Sequence, residues 1–140
     1  MATYNKFNQF FADLANGVHN LGSNTLKVML TNSAPLATNT VKANLTEISA
    51  GNGYSAGGAT VTINSSTQTG GNYTLDGDDV VITAAGGSIG PFRYAALYND
   101  TPTSPADPLI GWWDYGSSIT LASGESLTVD FPSGDILTGI

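Results

Sequence analysis

The 140-residue chain contains no cysteine, which removes disulfides, thiolate chemistry and zinc-sulfur sites together. It is almost as poor in basic residues: Lys6, Lys27, Lys42 and Arg93 stand against eleven acids, for a formal charge of −7. Such a surface repels a nucleic-acid backbone, so no nucleic-acid partner is expected. Charged residues make up only 11% of the chain, against a usual share of about 25%, which excludes a coiled coil or a charged disordered tail. No run approaches the roughly 20 apolar residues of a membrane span, so no membrane partner is expected. The first residues, Met1 to Phe11, lack the basic start and apolar middle of a signal peptide, which predicts synthesis and retention in a cytoplasm until something releases the protein. Histidine occurs once, at His19.

What is present is 41% hydrophobic residues and an abundance of Thr, Ser, Asn and Gly. The length suits one core of ordinary size, and the runs 26–30, 80–82 and 109–113 supply apolar surface for it. Within residues 4–19, Phe7, Phe10, Phe11, Leu14 and Val18 recur at helical spacing, predicting one amphipathic helix capped by Thr3 or Asn5 and closed around residues 20–22. That helix docks either on its own domain or on a neighbouring subunit. Beyond it, short β-like segments at 25–30, 59–64, 73–75, 79–84, 92–99, 109–115, 118–121 and 126–131 alternate with Gly, Asn, Asp and Pro punctuation. The expected organisation is an N-terminal helical segment at 1–22 and a single domain at 23–140. The expected fold is mainly β, an antiparallel β-sandwich or partly open barrel, with a jelly roll as one compatible topology.

Motifs that carry chemistry are few. Asp76-Gly77-Asp78-Asp79 is dense enough in carboxylates to hold a hard cation, but it lacks the distal ligands of a calcium loop, and an Asp-Gly hairpin turn explains it better. Gly53-Tyr54-Ser55-Ala56-Gly57 matches the letters of a nucleophile elbow, yet it sits in a glycine-rich loop that runs into a strand, and the only histidine that could serve as its base, His19, lies at the end of the amphipathic helix. The paired glycines are not followed by the lysine of a phosphate-binding loop. Acids lie mainly on turns. No catalytic residue, cofactor or metal site is therefore assigned, and a carboxylate-pair hydrolase is the third-ranked class. Trp112-Trp113-Asp114-Tyr115 is the densest aromatic run, and strand alternation sends one tryptophan inward and the other outward. The outward ring lies under the helix, stacks on a sugar, or enters a subunit contact. Arg93, between Phe92 and Tyr94, is expected to pair with a carboxylate or stack on a ring.

Four blocks in fixed order carry a resemblance: Leu45-Thr46-Glu47-Ile48-Ser49-Ala50-Gly51-Asn52-Gly53-Tyr54, Gly57-Gly58-Ala59, Arg93-Tyr94-Ala95-Ala96-Leu97-Tyr98-Asn99-Asp100, and Pro108-Leu109-Ile110-Gly111. Residues 25–140 resemble the small structural proteins encoded among the head and tail genes of tailed bacteriophages. The resemblance implies a non-enzymatic virion component, first of all a capsid decoration or cement protein on the capsid surface. Its partners would be the major capsid protein and further copies of itself, as a dimer or trimer. A tail or neck protein, or a carbohydrate-binding adhesin module, is the alternative. Candidate contact residues are Phe7, Phe10, Phe11, Leu14, Trp112 and Trp113.

Overall fold

A computed structural model describes residues 3–131 and the backbone of residues 135–138. The chain is mainly β, in antiparallel sheets, none of them closed into a barrel. Its elements run β1 (Thr3–Lys6), α1 (Phe10–Ala15), β2 (Leu26–Thr31), β3 (Ala59–Thr60), β4 (Ile63–Thr69), β5 (Asn72–Gly77), β6 (Val80–Thr83), β7 (Ile89–Asn99), β8 (Leu109–Leu121), β9 (Ser126–Val129) and β10 (Asp135–Thr138). A five-stranded sheet has the order β1-β8-β7-β2-β3, and smaller sheets are formed by β10-β5-β4 and β6-β9.

Alternation along the long strands gives the five-stranded sheet two buried faces. Register pairs Val28 with Leu97, Leu30 with Ala95, and Ala95 with Trp113. These residues join Leu75 of β5, Val80 and Ile82 of β6, and Leu127 and Val129 of β9 in the main core. The intervening residues Met29, Ala96, Tyr98 and Leu109 point the other way and form a second cluster with Phe7, covered in part by Leu45 and Trp112.

The amino-terminal helix is much shorter than the periodicity predicts. Residues 3–6 form β1, paired with β8 through Tyr4 to Trp113 and Lys6 to Gly111, so residues 3–22 are not one helical segment. Gly111 accommodates this pairing, because a Cβ there would collide with the Tyr4 ring. α1 has only six residues, with Gln9 at its start and no side-chain cap. Neither Thr3 nor Asn5 caps it, since both lie in β1. It ends at Gly17, whose φ is +78°, where Gly17 N–H donates to Leu14 O and Val18 N–H to Asp13 O. This is the two-bond closure that a left-handed glycine permits, and it falls earlier than the expected stop at 20–22.

Three strand expectations also change. The turn of the first hairpin is at Gly70-Gly71, with φ of +59° and +88°, and Thr69 pairs directly with Asn72. Two consecutive positive φ angles match the right-handed twist of the flanking strands. Asp76-Gly77 is therefore not a hairpin turn: both residues belong to β5, and β5 and β6 lie in different sheets. Finally, the segments expected at 109–115 and 118–121 are one thirteen-residue strand, β8, which continues through Gly116 at φ +85°.

Candidate functional site

The candidate contact residues do not form one exposed stripe. Phe7 and Phe10 are completely buried, and on opposite faces: Phe10 joins the main core, whereas Phe7 joins the second cluster. The reason is the change from strand to helix between them, which destroys the common helical face. Leu14 is half-buried against the main core. The tryptophans do point to opposite faces of β8. Trp113 is buried between Tyr4, at 5.2 Å, and Phe131, at 5.6 Å between ring centroids. Trp112 packs 4.6 Å from Phe7 and is half-buried, so it serves as a cover for Phe7 and not as a free stacking platform.

Phe11 differs from the other five. It is 44% exposed, with the Lys6 ammonium 4.2 Å above its ring and Phe10 behind it at 5.6 Å. Tyr4 and Lys6 share one side of β1, two residues apart, and Tyr4 is also among the exposed large side chains. β1 ends its sheet. This corner combines exposed aromatic surface, one cation and a sheet edge.

Sequence reasoning did not find the densest polar centre. Glu47 Oε2 accepts hydrogen bonds from the Tyr54 hydroxyl, at 2.6 Å, and from Gly57 N–H, at 2.7 Å, while Oε1 accepts from Lys42 Nζ at 3.2 Å. The Tyr54 oxygen in turn accepts from Leu30 N–H at 3.0 Å, near the end of β2. Tyr98 donates to Gly57 O, and Lys42 stands 5.7 Å from the Tyr98 ring. Burial, with the nearby acids, pushes both phenols well above their ordinary pKa, so they remain donors at neutral pH. Gly58 passes so close to Val28 that a Cβ would strike the β2 backbone. Asn99 N–H donates to Pro108 O at 3.0 Å. Three of the four sequence blocks thus meet at one clamp, which fastens the loop between β2 and β3 to the five-stranded sheet, and the fourth runs beside Tyr98 on β8. The signal that could have found it is the coincidence of a glutamate, two tyrosines and a positive-φ glycine pair in otherwise charge-poor sequence.

Arg93 makes both contacts its position suggests. Its Nε and Nη2 reach Asp114 Oδ1 at 2.8 Å and Oδ2 at 3.2 Å, and the guanidinium lies 5.3 Å from the Tyr94 ring. The bidentate bond, helped by Gly116 N–H, holds the Asp114 carboxyl below its usual range. In the acidic stretch, Asp78 Oδ1 accepts from Asn64 Nδ2 and Asp79 Oδ1 from Phe131 N–H. These bonds tie loops together, and among the described residues no group of three or more His, Cys, Asp or Glu side chains is placed to hold a metal. Gly51 to Tyr54 closes a tight turn by reciprocal backbone bonds, and Ser55 leads into β3 with no helix after it, so the nucleophile-elbow lettering has no elbow geometry. His19 lies elsewhere, bonded to Asn99. No helix among the described residues is long and apolar enough to cross a membrane.

Comparison with known proteins returned no matching family model, no matching curated protein and no matching solved structure.

Proposed function

We propose that this chain is a bacteriophage virion structural protein, a decoration or cement protein that sits on the capsid surface between major capsid subunits as a dimer or trimer. One observation supports the reading: three of the four blocks through which the sequence resembles phage structural proteins join in a single clamp around Glu47 and Tyr98, and the fourth lies on the strand paired with Tyr98, an architectural role suited to a likeness that holds no chemical motif. The same reading treats the five-stranded sheet and the two smaller sheets on one of its faces as a β-sandwich. It assigns no catalytic residue and no cofactor.

Contact with the capsid falls to Phe11, with Tyr4 and the β1 edge beside it. Phe7, Phe10 and Trp113 have no surface to offer. A decoration protein that binds only the assembled shell adds its binding free energy to that state alone and so opposes disassembly. The test is peptide mass spectrometry on density-purified particles divided into tailless heads and detached tails. Recovery with heads in hundreds of copies is the expected outcome. A handful of copies with tails points to the tail, neck or adhesin alternative, and absence from both ends the virion reading. On heads, Phe11→Ser releases the protein while its far-ultraviolet circular dichroism is unchanged.

A further inference from the structure

Glycine follows asparagine twice in the chain, at Asn16-Gly17 and at Asn52-Gly53. The pair carries a latent reaction, because a residue without a Cβ leaves its backbone nitrogen open to approach the preceding side chain. The glycine nitrogen attacks the asparagine Cγ, and the new N–Cγ bond closes a succinimide ring. The Cγ–Nδ2 bond breaks, and ammonia leaves with the glycine amide proton. Water then adds to one imide carbonyl and opens the ring to aspartate or isoaspartate, so that amide and water become carboxylic acid and ammonia.

The two pairs share this chemistry but not their surroundings. Asn52 is tied down on several sides. Its Nδ2 donates to Ser88 O at 2.9 Å, and its carbonyl oxygen accepts from Ala85 N–H at 2.8 Å. Asn52 and Gly53, with φ of +56° and +101°, are the central residues of a turn closed by reciprocal bonds between Gly51 and the buried Tyr54. A Cβ on Gly53 would strike Thr83 O, so the space beside the attacking nitrogen is filled. Closing the ring here requires rotation that breaks these bonds together. Where serine follows asparagine, at Asn32 and Asn64, the side-chain amide is likewise bonded, to Ser118 and to Asp78.

Asn16 stands in open surroundings. It is exposed, and among the described residues its side chain has no hydrogen-bond partner. A Cβ on Gly17 would meet no atom within 4 Å, which leaves room for the ring. The restraint comes from the end of α1, where Gly17 N–H donates to Leu14 O at 3.3 Å and Val18 N–H to Asp13 O at 2.9 Å. The bond that the attacking nitrogen must give up is the longer of the two, beyond the usual range for N–H to O. The terminal turn of a six-residue helix opens at small cost.

We infer that Asn16 is a site of spontaneous deamidation in the folded protein, and that the fold protects Asn52 from the same reaction. The product takes the formal charge from −7 to −8. It places the added carboxylate at the carboxyl end of α1, where the helix dipole disfavours negative charge, on the helix that carries Phe11. The reaction needs no partner and is independent of whether the chain belongs to a head or a tail.

The test holds the full chain, folded, for several weeks at body temperature and mildly alkaline pH, with a parallel sample in guanidinium chloride. Trypsin cleavage after Lys6 and Lys27 isolates residues 7–27 with Asn16, and cleavage after Lys42 and Arg93 isolates residues 43–93 with Asn52. Fragmentation mass spectrometry then assigns the mass gain of amide-to-acid conversion to a residue. The expected result is conversion of Asn16 at least about tenfold faster than Asn52 in the folded chain, and similar rates for the two in denaturant. A smaller ratio in the folded chain, no conversion at Asn16, or a ratio that persists in denaturant overturns the inference.

Discussion

The two faces of the five-stranded sheet are closed by different means. On one face, Val28, Leu30, Ala95, Leu97, Ile110 and Trp113 meet side chains from two further sheets in a continuous apolar core. On the other, Met29, Ala96, Tyr98 and Leu109 form a small cluster, and the loop between β2 and β3 is fixed by hydrogen bonds to Glu47, one of them from Tyr54 of the main core, and by the Tyr98 hydroxyl. Shape and area hold the first face, so many apolar sequences would serve. The loop between β2 and β3 depends on particular donors and acceptors, whose removal leaves partly buried partners unpaired.

The sharpest test of the contrast is at the main core. Leu97→Ala removes a fully buried side chain and is expected to cost about 2–5 kcal/mol, read as a lower urea midpoint at unchanged m value. A similar loss for Leu97→Met would break the comparison, because an apolar isostere should cost less than about 1.5 kcal/mol. Next in size is Glu47→Leu, which keeps the bulk but deprives the Tyr54 hydroxyl, Gly57 N–H and Lys42 of their acceptor. A loss of about 1–3 kcal/mol is expected, together with faster amide exchange at Gly57. An unchanged midpoint would show that the loop is held by packing alone.

A smaller effect is expected from pH. Burial lowers the His19 pKa below the ordinary 6.5, so in the window beneath that value the unfolded chain binds the proton that the folded chain excludes. Stability is complete above about pH 6.5 and is lost as pH falls through the window towards the folded pKa. The Asp114 carboxyl, lowered by Arg93, adds a loss of the same sign at more acidic pH. Thermal midpoints measured between pH 7 and 5 should fall in the native chain and stay flatter in His19→Gln. The smallest effect belongs to Phe11→Ser, which is exposed and should shift stability by no more than about 0.5 kcal/mol. Phe10→Ser, one position away but fully buried, should unfold much of the population at the same temperature. Equal behaviour of the two would contradict their assignment to surface and core.

Strands rich in Val, Ile, Leu and aromatics were legible, because a half-buried strand writes its apolar face into every second residue. The core segments of β2, β6, β7, β8 and β9 fall within the expected spans. Most of β4 was not, since Ser65, Ser66, Thr67, Gln68 and Thr69 show no apolar alternation and are ordered by pairing with β5. β10 was missed as well; it pairs with the other edge of β5. Helical spacing at Phe7, Phe10, Phe11 and Leu14 was a true periodicity with a partly false meaning, because burial on two different faces happened to match one helical face. Neither Phe7 nor Phe11 could be separated from Phe10 without coordinates. His19 was an individually visible letter whose partner Asn99 lies 80 positions along the chain, and the Glu47 partners, though within ten positions, are brought to it by a loop with no regular repeat.

Composition and local pattern by themselves determined a charge-poor, cysteine-free, mainly β domain, the inward and outward alternation of its long strands, and the opposite facing of Trp112 and Trp113. These are properties of single residues and of a backbone with a two-residue repeat, so they need no knowledge of the partner strand. Tertiary structure alone decided which strands pair, where the helix yields to β1, which phenylalanine reaches the surface, and that Glu47, Tyr54, Gly57 and Tyr98 meet. Each of those depends on contacts between residues distant in the chain, where closing the loop carries an entropic cost that only the assembled core and its hydrogen bonds offset.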